Sequence, residues 1–234
     1  MRLPHKTLEK SLFAKGYRRV IAVDEVGMGS LAGPVVVCAV SFDKKFFRKK
    51  HKNLSWLRDS KLLAPHQREN FVRELLKEKN LKYQTSYCFP KTIDRVNIYQ
   101  AARLAMRRAI RRLHNANMRM YATAIPRRAA SGSAEPSMSN DTNKKTVVLV
   151  DGKYKIKGLN LEQMAIIKGD RKVFSIACAS LLAKVFRDRM MKRYSKRFPK
   201  YGFERHKGYG TKLHRGMLLK HGRSPIHRNS FRLI

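Results

Sequence analysis

The sequence predicts an α/β layered domain: a mixed β-sheet flanked by helices, with a small, basic, helical extension at its C-terminal end. Three observations carry this. Two β-branched apolar runs, "RRVIAVDEVG" and "PVVVCAVSF", follow one another early in the chain. Later apolar runs come singly and alternate with long helical patterns. Beyond residue 194 the chain is rich in Lys, Arg and His and carries one short helical pattern. Strands first, then helices alternating with single strands, describe a sheet with helices packed against it.

The first two runs read as strands of a hairpin, joined by the glycine-containing "MGSLAG". "HQRENFVRELLKEKN" places Phe71, Val72, Leu75 and Leu76 on one helical face. "LKYQTSYCF" alternates as a third strand. "RVNIYQAARLAMRRAIRRLHN" reads as one long helix, with Ile98, Ala101, Ala105 and Ala109 in a stripe and Arg103, Arg107 and Arg111 away from it. From about Asn115 to Lys145 the periodicity fails, and a flexible insertion is expected there. "TVVLVDG" is a short buried strand and "QMAIIKGD" another. "SIACASLLAKVFRDRMMKRY" is a helix with a small-residue face at Ala177, Ala179 and Ala183. "GYGTKLHRGMLLKHG" is a last helix stopped by Gly222. The expected division is a catalytic domain over 1–194 and the extension over 195–234.

The 234 residues include 53 Lys and Arg against 16 Asp and Glu, a formal charge of +37. At 43% hydrophobic the chain has enough apolar surface for a core, which excludes wholesale disorder. So large a positive charge concerns partners, and nucleic acid leads, because neutralised phosphates release counterions. No apolar run approaches the roughly 20 residues of a spanning helix, so no membrane association is expected. Cys38, Cys88 and Cys178 are scattered, with no CxxC pair for a zinc ribbon. The N-terminal stretch lacks an apolar core of signal-peptide length, and a cytoplasmic protein is expected.

Most of the acids lie among lysines or on helix surfaces, as Glu69, Glu74 and Glu78 do. Four do not. Asp24 and Glu25 end the first strand, Asp151 ends "VVLV", and Asp170 follows "AIIKG". Each sits beside a glycine at the end of an apolar run. Read alone, a strand-terminal Asp is more often a turn-former. Together, four acids at strand ends point to one edge of the sheet, where α/β folds build their sites. Clustered carboxylates repel one another unless cations compensate, and hard oxygen ligands suit Mg²⁺ or Mn²⁺. Asp24 and Glu25 are adjacent on a strand, so they share a site only where the strand bends or ends; Gly27 and Gly29 supply that freedom. Carboxylate-held metal ions in a cationic protein suit phosphodiester hydrolysis on nucleic acid.

The stretches "DEVGMGSLAGPVVVCAV", "RDSKLL", "IDRVNIYQAARLAM", "LVDG", "IIKGDRKVFSIACASLLAKVFRDRMM", "YGFERHKGYGTKLH" and "SPIHRNSF" resemble the type 2 ribonucleases H, the ribonuclease HII family. They occur in that family's order and cover nearly the whole chain outside 115–145. The resemblance implies a ribonuclease H-like fold with a small helical C-terminal extension. It implies cleavage of RNA in RNA–DNA hybrids and incision beside ribonucleotides embedded in duplex DNA, leaving 5′-phosphate and 3′-hydroxyl ends. It assigns Asp24, Glu25, Asp151 and Asp170 as catalytic, metal-holding carboxylates, with Mn²⁺ or Mg²⁺ as cofactor, and implies a monomer. The family's Gly-Arg-Gly loop, which reads the ribose 2′-hydroxyl largely through backbone groups, falls on Gly27, Met28 and Gly29; methionine stands where the family carries a basic residue. Tyr209 matches the tyrosine that stacks at the ribonucleotide–DNA junction. Lys61, Lys184 and Arg187 lie in matching motifs as phosphate contacts.

Two other readings compete. One is a non-catalytic basic nucleic-acid-binding protein, a degenerate nuclease or ribosome-associated chain; its charge and size fit, but a pure phosphate binder gains nothing from four clustered acids. The other is a different nuclease or transposase of the same fold, from which the 2′-hydroxyl loop and Tyr209 separate it. His206, His214, His221 and His227 have no zinc-ligand spacing.

Overall fold

In the computed structural model, residues 3–49, 51–54, 57, 60, 63–124 and 145–232 are described. Five strands form one sheet in the order β3-β2-β1-β4-β5. β1 (Arg19–Val26) and β2 (Val35–Phe42) make the expected antiparallel hairpin, and β3 (Leu81–Cys88) continues it antiparallel. β4 (Thr146–Asp151) and β5 (Glu162–Ile166) are added parallel to β1 on its other side. β2 is buried along its whole length, which is why it reads as a continuous apolar run rather than an alternating one.

Strand parity sorts the core into two layers. Val20, Ala22, Val36, Cys38, Val40, Val147 and Leu149 pack with Ala177, Cys178, Ala179 and Ala183 of α5 (Phe174–Arg197). Ile21, Val23, Val35, Val37, Ala39, Val148 and Val150 pack against Ala101, Ala105 and Ala109 of α4 (Ile98–Ala124). The small-residue stripes let both helices lie close to the sheet. The N-terminus of α5 is held by buried Glu9 of α1 (Thr7–Ala14), whose Oε1 accepts from the Ser175 N–H and hydroxyl, both at 2.8 Å. A carboxylate there satisfies an amide that the first helical turn leaves without an intrahelical partner.

Helix α2 (Pro65–Lys77) buries Val72 and Leu75, but Leu76 is 47% exposed, so its apolar face is narrower than expected. Two further differences concern α4. The expected single helix from Arg95 is broken at Asn97, which takes a left-handed φ of 64° between α3 (Pro90–Val96) and α4. The Asn97 side chain accepts from the Gln100 N–H at 3.0 Å and so caps the new helix. At the other end, the helix does not stop near Asn115 but runs to Ala124; the rest of the expected insertion lies outside the described residues.

A third apolar cluster joins the segment after β1 to the C-terminal residues. Leu31 and Ala32 meet Met191 of α5 and Tyr201, Phe203, Leu218 and Ile226. Here α6 (Phe203–His206) and α7 (Lys212–His221) follow α5, and Gly222, at φ 70°, ends α7 as the sequence predicts. Residues 226–228 run along residues 31–33: the Gly33 N–H donates to the Ile226 carbonyl at 2.8 Å and the Arg228 N–H to the Leu31 carbonyl at 2.9 Å.

Candidate active site

β1 and β4 are parallel, so their C-terminal ends share one edge of the sheet. The register pairs Val23 with Val150, which places Asp24 and Asp151 one step further along, side by side on the α5 face. Asp24 is 5% exposed. Glu25 follows it at the strand end with opposite parity, yet lines the same cavity. Asp170 enters from the 3-10 turn Gly169–Arg171, set by left-handed Lys168 just before it. That turn is tied to the sheet where the Gly169 N–H donates to Asp151 Oδ1 at 2.6 Å. A Cβ at Gly169 would fall 2.7 Å from Ile176 Cδ1 of α5 and 3.1 Å from Asp151 Oδ1 of β4, so glycine lets the turn sit close to both.

The four carboxylates line a cavity of about 630 Å³. Gly27, Met28, Gly29, Lys184 and Tyr209 line it too. So do three residues that the sequence reading passed over: Ser60, Arg68 and Ser180. Ser180 of α5 hydrogen-bonds Asp24 and lies 3.2 Å from the Ser60 hydroxyl. Burial pushes the Asp24 carboxyl well above the usual carboxylate range, and the neighbouring Glu25 and Asp151 charges push the same way.

Lys184 donates to Asp188 Oδ1 at 2.8 Å, and the Arg68 guanidinium lies 3.6 Å from the other oxygen of Asp188. One carboxylate thus holds two cations at the wall of the cavity. The Lys184 ammonium also stands 5.8 Å above the ring of Tyr209. Nothing in the local sequence marks Arg68; its place at the wall depends on α2 packing beside α5.

The expected phosphate contact at Arg187 is corrected. Its side chain is 0% exposed, and its guanidinium donates to the carbonyls of Pro34, Ala32 and Lys207 at 2.9, 3.0 and 2.9 Å. All of its donor nitrogens are engaged inside the protein, so it braces the site from behind, 5.4 Å from the Tyr209 ring. Gly27 has φ 91°, and a Cβ there would fall 2.3 Å from Arg187 Nε. Gly29 has neither constraint, and its Cβ would meet nothing within 4 Å. Met28 packs its side chain against the α4-side core. Lys61 lies outside the described residues.

A model of the ribonuclease HII family matches residues 21–234. The chain belongs to the ribonuclease HII family. It is an endoribonuclease of the ribonuclease H class, a hydrolase of a metal-dependent nuclease family. Ribonuclease HII of Caldicellulosiruptor saccharolyticus is 43% identical over 224 residues, covering 96% of this chain and 92% of that one. That of Chlorobium luteolum is 39% identical over 231 residues, covering 99% and 97%. Among solved structures, the RNase HII of Archaeoglobus fulgidus, in its complex with PCNA, aligns with a TM-score of 0.60 at 22% identity, covering 92% of this chain and 96% of that one. Bst-RNase HIII in complex with Mn²⁺ aligns with a TM-score of 0.62 at 16% identity, covering 95% and 70%. The fold is therefore ribonuclease H-like, as the sequence motifs imply. No helix among the described residues is long and apolar enough to cross a membrane.

The donor set suits a divalent cation. Four hard oxygen ligands face one cavity, and two of the neighbours raise the proton affinity of Asp24, a repulsion that a bound cation would reverse. Among the described residues no three of these side chains already stand at ligand spacing, so binding has to draw them together.

Proposed function

We propose that this ribonuclease HII hydrolyses RNA in RNA–DNA hybrids and incises duplex DNA beside a single embedded ribonucleotide, leaving 5′-phosphate and 3′-hydroxyl ends. One observation carries the reading: the strand-end carboxylates share a cavity with the Gly27–Gly29 loop and Tyr209. The first group suits phosphodiester hydrolysis, and the second suits selection of one sugar.

Asp24, Glu25, Asp151 and Asp170 would hold Mg²⁺ or Mn²⁺. When bound, the metal supplies water activation and stabilisation of the leaving oxygen. The protein's own residues do the rest. Ser180 orients Asp24. Lys184, poised on Asp188 at the cavity wall, can meet a phosphate, while Arg68 beside it gives its Nη1 to the Ser60 and Leu63 carbonyls and keeps Nη2 towards Asp188. The backbone of Gly27–Gly29 approaches the ribose, and Tyr209 offers a ring face to the sugar that follows. All these groups come from one chain, which supports action as a monomer. Three buried free cysteines, Cys38, Cys88 and Cys178, suit a reducing cytoplasm.

The test is cleavage of a labelled DNA duplex carrying one ribonucleotide, and of an RNA–DNA hybrid, with Mg²⁺, Mn²⁺ or EDTA. Metal-dependent incision next to the ribonucleotide is expected. Binding of both substrates without cleavage under any metal would overturn the reading in favour of a non-catalytic binder.

A further inference from the structure

Arg228, like Arg187, is 0% exposed, and it lies near the C-terminal end of the described chain. Its guanidinium reaches some two hundred residues back in sequence. It donates to the Gly27 carbonyl at 2.6 Å, the Met28 carbonyl at 2.9 Å and the Gly33 carbonyl at 3.0 Å. Burial lowers its pKa to about 9, with the nearby Arg187 charge acting in the same direction. An arginine kept there against that cost has its charge spread over carbonyl dipoles. A lysine, with a compact ammonium in place of the planar fork, cannot serve three carbonyls in this geometry.

The consequence lies on the far side of the peptide planes. The described chain contains no cis peptide bond. In a planar trans peptide, the C=O of one residue and the N–H of the next point in opposite directions. Drawing the Gly27 and Met28 carbonyls towards Arg228 therefore turns the Met28 and Gly29 N–H groups away from it. Gly27, Met28 and Gly29 all line the active-site cavity. Neither of those two N–H groups donates to a backbone carbonyl among the described residues.

We infer that Arg228 is a positioning residue for sugar recognition: it ties the Gly27 and Met28 carbonyls to the C-terminal extension and so presents the Met28 and Gly29 N–H groups to the 2′-hydroxyl of the substrate ribonucleotide. This rests on the reading that the Gly27–Gly29 loop recognises the ribose. It also gives the extension a role in specificity. Met28 carries no charge, so that recognition falls to the backbone that Arg228 orients.

The experiment follows backbone amide signals of the full-length protein by NMR in EDTA, with a duplex carrying one ribonucleotide and with the same duplex all-deoxy. In the wild type, the Met28 and Gly29 amides exchange freely without nucleic acid and become protected only by the ribonucleotide duplex. In Arg228→Lys that protection is lost, and kcat/KM on the single-ribonucleotide duplex falls about a hundredfold, while the salt dependence of binding to all-deoxy duplex is unchanged. No ribose-dependent protection in the wild type would overturn the loop reading itself. Ribose-dependent protection that persists in a folded Arg228→Lys, with unchanged kcat/KM, would leave the loop reading standing and remove Arg228 from it. Should Arg228→Lys fail to fold, the wild type still decides: amides already protected in the free protein contradict the proposed orientation.

Discussion

His214 and His227 meet ring to ring, Nε2 to Nε2 at 3.0 Å, beneath the Tyr209 backbone. Their outer contacts fix the tautomers. The Ser224 N–H donates to His227 Nδ1 at 2.8 Å, so that atom is an acceptor and His227 carries its proton on Nε2. That proton is donated to His214 Nε2. His214 Nδ1–H then donates to the Tyr209 carbonyl at 3.0 Å. His206 stacks on His214 at 4.2 Å between centroids and accepts the Gly208 N–H on Nδ1. A directed chain of neutral imidazoles therefore supports the segment that carries Tyr209. A second proton on either member of the pair would put two N–H groups face to face.

That arrangement sets a pH dependence. Burial lowers both His214 and His227 to about 4, with the Tyr209 and Ser224 backbone contacts opposing it, and His206 and, for His227, Arg223 adding repulsion. Unfolded histidine titrates near 6.5. Between about 6.5 and 4 the unfolded chain binds protons that the fold refuses, so stability is lost as pH falls through that window. The expected outcome is a fall in Tm from pH 7 to pH 5 that is smaller in His227→Gln, whose amide can donate to His214 without titrating. An equal fall in both proteins would assign the acid sensitivity elsewhere.

Asp24→Asn is expected to abolish cleavage while hybrid binding persists with its salt slope, since binding rests on phosphate contacts. The same change removes a buried like charge, so Tm in EDTA at pH 8 should equal or exceed that of wild type. Adding Mn²⁺ should raise the wild-type Tm and raise the variant's less, because only ligand bound to the folded state stabilises it. Near-wild-type activity in Mg²⁺ would take Asp24 out of the catalytic set.

Asp188 restrains two cations at the cavity wall, and its removal should separate affinity from catalysis. In Asp188→Asn, Lys184 and Arg68 lose their shared counter-charge. Binding to hybrid should tighten and show a steeper salt dependence, while kcat falls because Lys184 is no longer aimed. A parallel loss of binding and rate would mean that Asp188 serves only the packing of α2 on α5.

Tyr209→Ala should impair incision at a single ribonucleotide more than cleavage of a continuous hybrid. Stacking on a ring is worth about 1–3 kcal/mol, so kcat/KM at the junction should fall roughly tenfold to a hundredfold. The Lys184 and Arg187 cations over the ring fix its place, and the metal and phosphate contacts of the hybrid remain. An equal loss on both substrates would make Tyr209 a general binding residue.

Much of this molecule was legible in order along the chain. Val20–Val23 and Val147–Val150 read as strands because β-branched runs buried on both faces have few other places in a fold. Ala101, Ala105 and Ala109 read as a helix face because their spacing is that of the helix itself. Asp24, Glu25, Asp151 and Asp170 stood out because acids at strand ends beside glycine are conspicuous in a chain of charge +37. The same charge hid the arginines. Arg187 and Arg228 look like any other cation among 53, and only the fold shows that their guanidinium groups are spent on backbone carbonyls, most of them 153–201 residues away. The histidines were hidden for a related reason: zinc spacing is a local pattern, whereas His206, His214 and His227 meet through the packing of α6, α7 and the segment after Gly222. Local periodicity and backbone geometry are properties of neighbouring residues, so sequence determined the elements and the acids at their ends. Burial and long-range hydrogen bonding depend on which segments meet, so only tertiary structure decided which charges line the cavity and which hold the Gly27–Gly29 loop.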